Sequence, residues 1–460
     1  MQRDAIDFEK ENTGVLFRRM LIPTLISSVF SMVMTISDGI FVGHGIGSSA
    51  LAAVNIVAPL WLIGSGIGLM FGMGASVVAS IHLAKNKLKA ARINLTQSIL
   101  FSSLLLAVIA VVVCLFRNEV LSLLGCPDDL KSLAILYMSG FIPFLPFNAL
   151  LLSGTFFIRL DGSPRYAMAC TTISAILNLI LDYLFIFVFQ WGILGAAIAT
   201  SLGSLVGAAM IIGYLSNGKH KLRFIKIKAS RKSMKLTSRN LKYMMHIGLS
   251  GLLADASISF MMLCGNYVFG ILGGDDLIAA FSVVCYFFPI VFMIYEAVGM
   301  SVQPIISYNH AKNRESKKRK ALRLAVFTNL GIGIPICLLA FFFPGIIASL
   351  FLPVGTQAYL YTMEGLPLFS LGFIFYAVNM IAIIYYQSIE KASSATTITI
   401  MRGFVFMAIA FTLLSYLFGI RGAWLAVPST EILTLLLVLL IPLFGKKICK
   451  EEAIRCTSPR

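Results

Sequence analysis

Charge is what this chain has least of. Only 12% of its 460 residues are Asp, Glu, Lys or Arg, while 58% are hydrophobic, and the mean hydropathy is +0.90. A water-soluble globular protein carries about a quarter charged residues, so there is too little polar surface here to wrap a soluble particle of this size. Cysteine chemistry is equally thin. The eight cysteines form no CxxC pair, and Cys114, Cys170, Cys264, Cys285 and Cys337 lie within apolar runs. That leaves no spacing for a zinc site or a disulfide framework and reads as buried small hydrophobes. Neither a nucleophile–base pairing nor an HExxH motif is present, which speaks against an intramembrane enzyme. No cleavable signal peptide is visible either: the first apolar run is too long for an h-region, so it reads as a retained span.

What the chain has is a series of long apolar runs. Each is about 20 residues or more, the length of a helix crossing a hydrocarbon core about 30 Å thick. Barrel strands would instead be short and alternating. Charged and Gly/Pro-rich breaks place spans near 15–42, 51–80, 93–116, 132–156, 166–189 and 193–215, then near 243–271, 278–305, 322–348, 360–388, 395–418 and 422–445. The expected fold class is an all-α polytopic membrane protein of twelve transmembrane helices, with both termini on one side. Counting Lys and Arg loop by loop puts 34 of the 37 on the side of the termini and only Arg117, Lys131 and Arg421 on the other. The count takes every Lys and Arg as lying in a connection or at a span end, Arg159 and Arg402 among them, and so leaves none at mid-span. By the positive-inside bias the termini are cytoplasmic. Basic runs such as Lys317–Lys320 then follow from topology and from attraction to anionic membrane lipid, with no nucleic acid as partner.

The two halves repeat at an offset of 227. Residues 72–86 (GMGASVVASIHLAKN) match 299–313 (GMSVQPIISYNHAKN) at six of fifteen positions, and 192–199 (GILGAAIA) match 419–426 (GIRGAWLA) at five of eight. Each repeat holds six spans, an even number. The halves are therefore expected to insert in one orientation, as two pseudo-symmetric six-helix lobes around a central cleft that opens alternately to each side. The expected division is an N-terminal lobe at 1–215, a basic linker at 216–242, a C-terminal lobe at 243–445 and a cytoplasmic tail at 446–460.

Acids within the spans stand out, because a carboxylate in hydrocarbon costs several kcal/mol unless it is wet, paired or protonated. Asp38 lies on the first span. Asn178 and Asp182 lie four apart on the fifth and so share a helix face. These acids are candidates for exchanging H+ or for holding Na+ with neighbouring oxygens. Asp255 and Glu296 are candidates for the substrate cleft, with Met261, Tyr286 and Phe287 as parts of an adaptable apolar wall. Glu431 and Glu364 read as reaching water near span ends. Pro23 interrupts the hydrogen-bond ladder of the first span and is a candidate hinge.

Residues 38–43 (DGIFVG), 159–165 (RLDGSPR), 177–187 (LNLILDYLFIF), 192–200 (GILGAAIAT) and 303–309 (QPIISYN) together resemble the multidrug and toxic compound extrusion (MATE) family, across nearly the whole chain. The flavour is that of the bacterial DinF- and MepA-like members. The resemblance implies a secondary active exporter of amphiphilic, mostly cationic compounds in exchange for H+ or Na+, with no other cofactor. It also implies a first-lobe cation site at Asp38, Asn178, Asp182 and Thr200. In the second lobe the NorM-type pattern is broken, since the tenth span offers no mid-span acid, and its Asn379 joins the candidates for the substrate cleft. A lipid-linked saccharide flippase of related two-lobe architecture is the competing expectation. The protein is expected to be monomeric.

Overall fold

The computed structural model describes residues 6–124, 126–227 and 230–457, without the side chains of Ser48, Lys232, Asp275 or any residue beyond 441. The tail expected at 446–460 therefore has no described side chain, and its last three residues lie outside the described residues. All regular structure among the described residues is helical.

The first six spans are α1 (Thr13–Gly45), α2 (Ser49–Ala84), α3 (Leu88–Leu115), α4 (Lys131–Leu160), α5 (Pro164–Val188) and α6 (Gly192–Ser216). They are followed by α7 (Ser233–Gly274), α8 (Asp276–Ala311) and α9 (Glu315–Phe342). The tenth span, α10, is a pair, Gln357–Ser370 and Gly372–Ser388, bent by 42°. The last apolar stretch, Ala392–Ile441, is 50 residues long. At 1.5 Å per residue that is about 75 Å, more than twice the hydrocarbon thickness. It is broken at Gly419, whose φ of 59° only glycine adopts readily. The break divides it into α11 before Gly419 and α12 after it, and twelve spans result. The chain is a multi-pass membrane protein.

Its surface is inverted relative to a soluble fold. On α3, Leu104, Val108, Val111 and Leu115 recur on one helix face and are 54–72% exposed. The same helix buries Asn94, Gln97, Ser98 and Ser102. Lipid favours that arrangement, because buried polar groups find partners between helices whereas lipid-facing ones cannot. Two short helices not foreseen in the sequence, Arg117–Leu123 and Pro344–Ser349, flank the spans. The second arises because Pro344 cannot continue α9, so the span expected to reach 348 ends at Phe342.

The duplication is written into the backbone. Gly47 and Gly274, Asn86 and Asn313, and Gly192 and Gly419 are pairs 227 apart, and all six have positive φ. Two copies of one chain trace therefore turn corners at matching places.

By contacts the chain forms two units. One comprises Met1–Asp255, Met300–Ala321 and Ser388–Glu390; the other comprises Ala256–Gly299, Leu322–Gln387 and Lys391–Arg460. Within the first unit, the stretch read as a linker at 216–242 is pinned down, and its second part is the helical start of α7, with Ser230 as N-cap. The Leu222 amide donates to buried Asp161 at 2.7 Å, the Ile225 amide donates to Thr96, and the Arg92 guanidinium donates to the Lys221 carbonyl at 2.8 Å.

Candidate functional site

Within the first unit, α1 packs on α5 and α5 on α6. Pro164 occupies the first turn of α5, where its missing N–H costs nothing. One face of this helix then carries Ser174, Asn178 and Asp182 inward, all buried. Gly203 on α6 allows the two helices to approach closely: a β-carbon there would sit 2.7 Å from the Ser174 carbonyl oxygen and 3.2 Å from Asn178 Cβ. Just beyond Asp182 the helix widens into a π-helical turn, Leu184–Val188. Such turns recur at functional sites because they re-aim side chains at the expense of regular hydrogen bonding.

Four sequence-predicted residues converge here. Asp182 and Asn178 are each 1% exposed. The Asn178 side-chain amide donates to Thr200 Oγ1 at 3.3 Å, and Thr200 in turn donates to the Ala196 carbonyl. Asp38, half-buried on α1, lies within direct side-chain interaction range of Asp182. Asp38 Oδ1, both carboxyl oxygens of Asp182 and Asn178 Oδ1 have no hydrogen-bond partner among the described residues. Acceptor oxygens left without a donor are chemically incomplete, and a proton or a small cation is what could complete them. Tyr137 on α4 also reaches both acids electrostatically. Sequence reasoning missed it because a lone tyrosine in an apolar span carries no pattern.

A second polar cluster lies within the other unit, and it corrects two expectations. Arg402 is not in a connection but in a π-helical turn of α11, Met401–Phe406, with its side chain 3% exposed. Glu431 on α12 does not reach water; its side chain is 0% exposed. Arg402 Nε donates to Glu431 Oε1 at 2.7 Å, and the Asn379 amide on α10 donates to Glu431 Oε2 at 2.8 Å. The guanidinium also lies over the Tyr376 ring, 4.2 Å from its centroid. Residues 392–400 are rich in Ser and Thr and imitate a loop, which is why Arg402 was read outside the membrane. Arg159 is likewise buried, in the last turn of α4, where it donates to Met300 Sδ and lies over Phe156. The spans are thus not free of cationic residues.

The residues expected to line a substrate cleft are divided between the two units. Asp255 falls in the first unit, while Met261, Tyr286, Phe287, Glu296 and Asn379 fall in the second. Met261 is fully buried and Asn379 is committed to Glu431. Tyr286 is 60% exposed and stacks on Phe351, and Phe287 packs against Phe373. Asp255 and Glu296 are half-buried. Pro23 sits inside α1, buried, as its position required.

With this geometry in view, the chain can be compared with known proteins. It is 25% identical over 442 residues to the multidrug export protein MepA of Staphylococcus aureus (strain MRSA252), with 94% of each chain covered. It is also 25% identical over 448 residues to the probable multidrug resistance protein YoeA of Bacillus subtilis (strain 168), again with 94% of each covered. Among solved structures, an outward-facing multidrug resistance MATE family transporter of the MOP superfamily superposes with a TM-score of 0.87 at 20% identity, covering 96% of this chain and 98% of that one. The Vibrio cholerae MATE transporter VcmN in the bent form gives 0.83 at 23%, covering 93% and 96%. The MatE family model itself matches residues 23–184 and 252–419, one stretch in each repeat and together most of the chain, so a duplicated twelve-helix membrane protein with this sequence belongs to the MatE family.

Proposed function

We propose that this protein is a secondary active multidrug exporter that moves amphiphilic, mostly cationic organic compounds out of a bacterial cell in exchange for H+ or Na+. The observation that carries this reading is the group of unpartnered oxygens on Asp38, Asn178 and Asp182. Two facing carboxyl groups in a low-dielectric bundle repel one another unless a proton or cation lies between them. An ion that binds there and leaves again supplies the free-energy difference that alternating access needs. Thr200 orients Asn178, and Pro23 lets α1 bend as the occupancy of Asp38 changes. The relatives MepA and YoeA are named for multidrug export and resistance, which favours transport over an enzymatic role. Both termini face the cytoplasm of the inner membrane, and the protein works as a monomer surrounded by lipid. A saccharide-lipid flippase fits less well, because the buried guanidinium of Arg402 is held by Glu431 instead of being offered to a pyrophosphate.

The test is dye efflux from proteoliposomes with an imposed pH or Na+ gradient. Asp38→Asn and Asp182→Asn are each expected to insert normally and to lose gradient-driven efflux by at least tenfold. The gradient that drives the wild type identifies the coupling ion. Undiminished efflux in Asp38→Asn would reject the assignment.

A further inference from the structure

The two repeats treat their buried acids differently. Moving the first-lobe residues Asp38, Asn178, Asp182 and Thr200 along by the 227-residue offset lands on Gly265, Val405, Ile409 and Val427. None of these is polar. The second copy has the scaffold without that site. Among the described residues, its fully buried acid is instead Glu431, on the sixth helix of the repeat, and this acid is neutralised from within the chain.

The guanidinium of Arg402 stands where a monovalent cation would stand: 2.7 Å from a carboxylate oxygen and over the face of Tyr376. Arginine keeps its charge at any physiological pH, so this counter-ion never leaves. Among the described residues, the first-lobe cluster has no such partner. Around the guanidinium, the Tyr376 side chain interacts directly with Arg402, and Asn379 Oδ1 is buried without a hydrogen-bond partner among the described residues. Glu296 on α8 acts on Tyr376 electrostatically and is the other acid near the cluster. Each cluster also has a π-helical turn on one of its helices, Leu184–Val188 starting two residues after Asp182 and Met401–Phe406 containing Arg402, although the two turns are not equivalent under the 227-residue offset.

We propose that Arg402 is a tethered counter-ion closing a latent monovalent-cation site formed by Glu431, Asn379 and Tyr376. The second lobe is thereby ion-silent at this cluster, and ion exchange is confined to the first-lobe acids. Removing the guanidinium leaves a buried carboxylate, an amide oxygen and a hydroxyl, a ligand set suited to Na+ or K+. The proposal rests on the reading of Asp38 and Asp182 as the exchanging pair, but it is measured elsewhere.

The measurement is thermal unfolding of the full-length protein in NaCl, KCl or choline chloride at equal ionic strength. An Asp38→Asn/Asp182→Asn background removes any first-lobe response. With Arg402 present, Tm is expected to be the same in all three salts. Arg402→Ala is expected to gain a rise of roughly 3 °C in saturating Na+ or K+ over choline. The gain should disappear when Glu431→Gln is added, and millimolar methylguanidinium should substitute for the metal ion. Arg402→Lys keeps the tethered charge and should stay indifferent to the salt. If Arg402→Ala does not fold, Arg402→Gln leaves a smaller void and reads the same response. A folded Arg402→Ala or Arg402→Gln protein that is blind to Na+, K+ and methylguanidinium overturns the proposal. So does a cation response in the Arg402 protein that Glu431→Gln abolishes. If Asp38→Asn left transport intact, the first-lobe reading would fail while the Glu431 measurement stood.

Discussion

The Glu431 side chain is 0% exposed, and its charge is held by one guanidinium and one amide. Breaking a buried pair by deleting one partner leaves an uncompensated charge and costs about 3–5 kcal/mol, whereas replacing both partners by apolar groups of similar volume is often neutral. Glu431→Ala is therefore expected to lower Tm far more than the double change Arg402→Met/Glu431→Leu, as read by thermal unfolding in detergent. Equal losses would show that the pair does not act as a pair. A milder effect belongs to Thr200. Thr200→Val removes the acceptor that orients the Asn178 amide, so ion-coupled efflux should weaken severalfold while folding changes by about 1 kcal/mol. At this scale the chain was legible where polarity interrupts oil. Asp38, Asn178 and Asp182 are visible as exceptions in apolar runs. Arg402 was not, because the small polar residues before it imitate a connection, and only the helix running through them reveals their depth.

Between elements, close approach decides the packing. On α2 and α7, Gly74 and Gly248 face each other's backbone: a β-carbon on Gly74 would lie 1.9 Å from the Met244 carbonyl oxygen, and one on Gly248 would lie 1.8 Å from that of Met70. Small residues at such crossings let helices gain dispersion contacts that lipid does not supply. Gly248→Val should force α2 and α7 apart and reduce the yield of folded protein sharply. Gly213→Ala, at an open position, should be neutral or slightly stabilising. Fluorescence-detected size exclusion of the two variants separates these outcomes. The α2–α7 crossing joins the two repeats within one contact unit, and nothing in the apolar periodicity of either helix announces it. Span positions, by contrast, were readable to within a few residues for most helices. Helices continue beyond the hydrocarbon wherever backbone hydrogen bonds persist, so α7 begins with basic residues that hydropathy assigned to a linker.

Across the whole molecule, the basic loops make a prediction about orientation. In a cysteine-free background, Lys219→Cys should react with an impermeant maleimide only from the cytoplasmic side, and Asp128→Cys only from the other side. Reversed labelling would invert the topology. The duplication was visible in two short matches, and it reappears as paired positive-φ corners at Gly47 and Gly274, Asn86 and Asn313, and Gly192 and Gly419. By itself the sequence determined the solvent, the number of spans, the repeat and the first-lobe acids. Each of these follows from the cost of placing polar groups in hydrocarbon, and that cost is paid locally. Only the tertiary structure decided which buried charges have partners. Glu431 meets an arginine 29 residues away and an asparagine 52 residues away in sequence, whereas Asp182 faces another acid. Pairing depends on which helix faces meet, and that is set by close packing among many side chains at once.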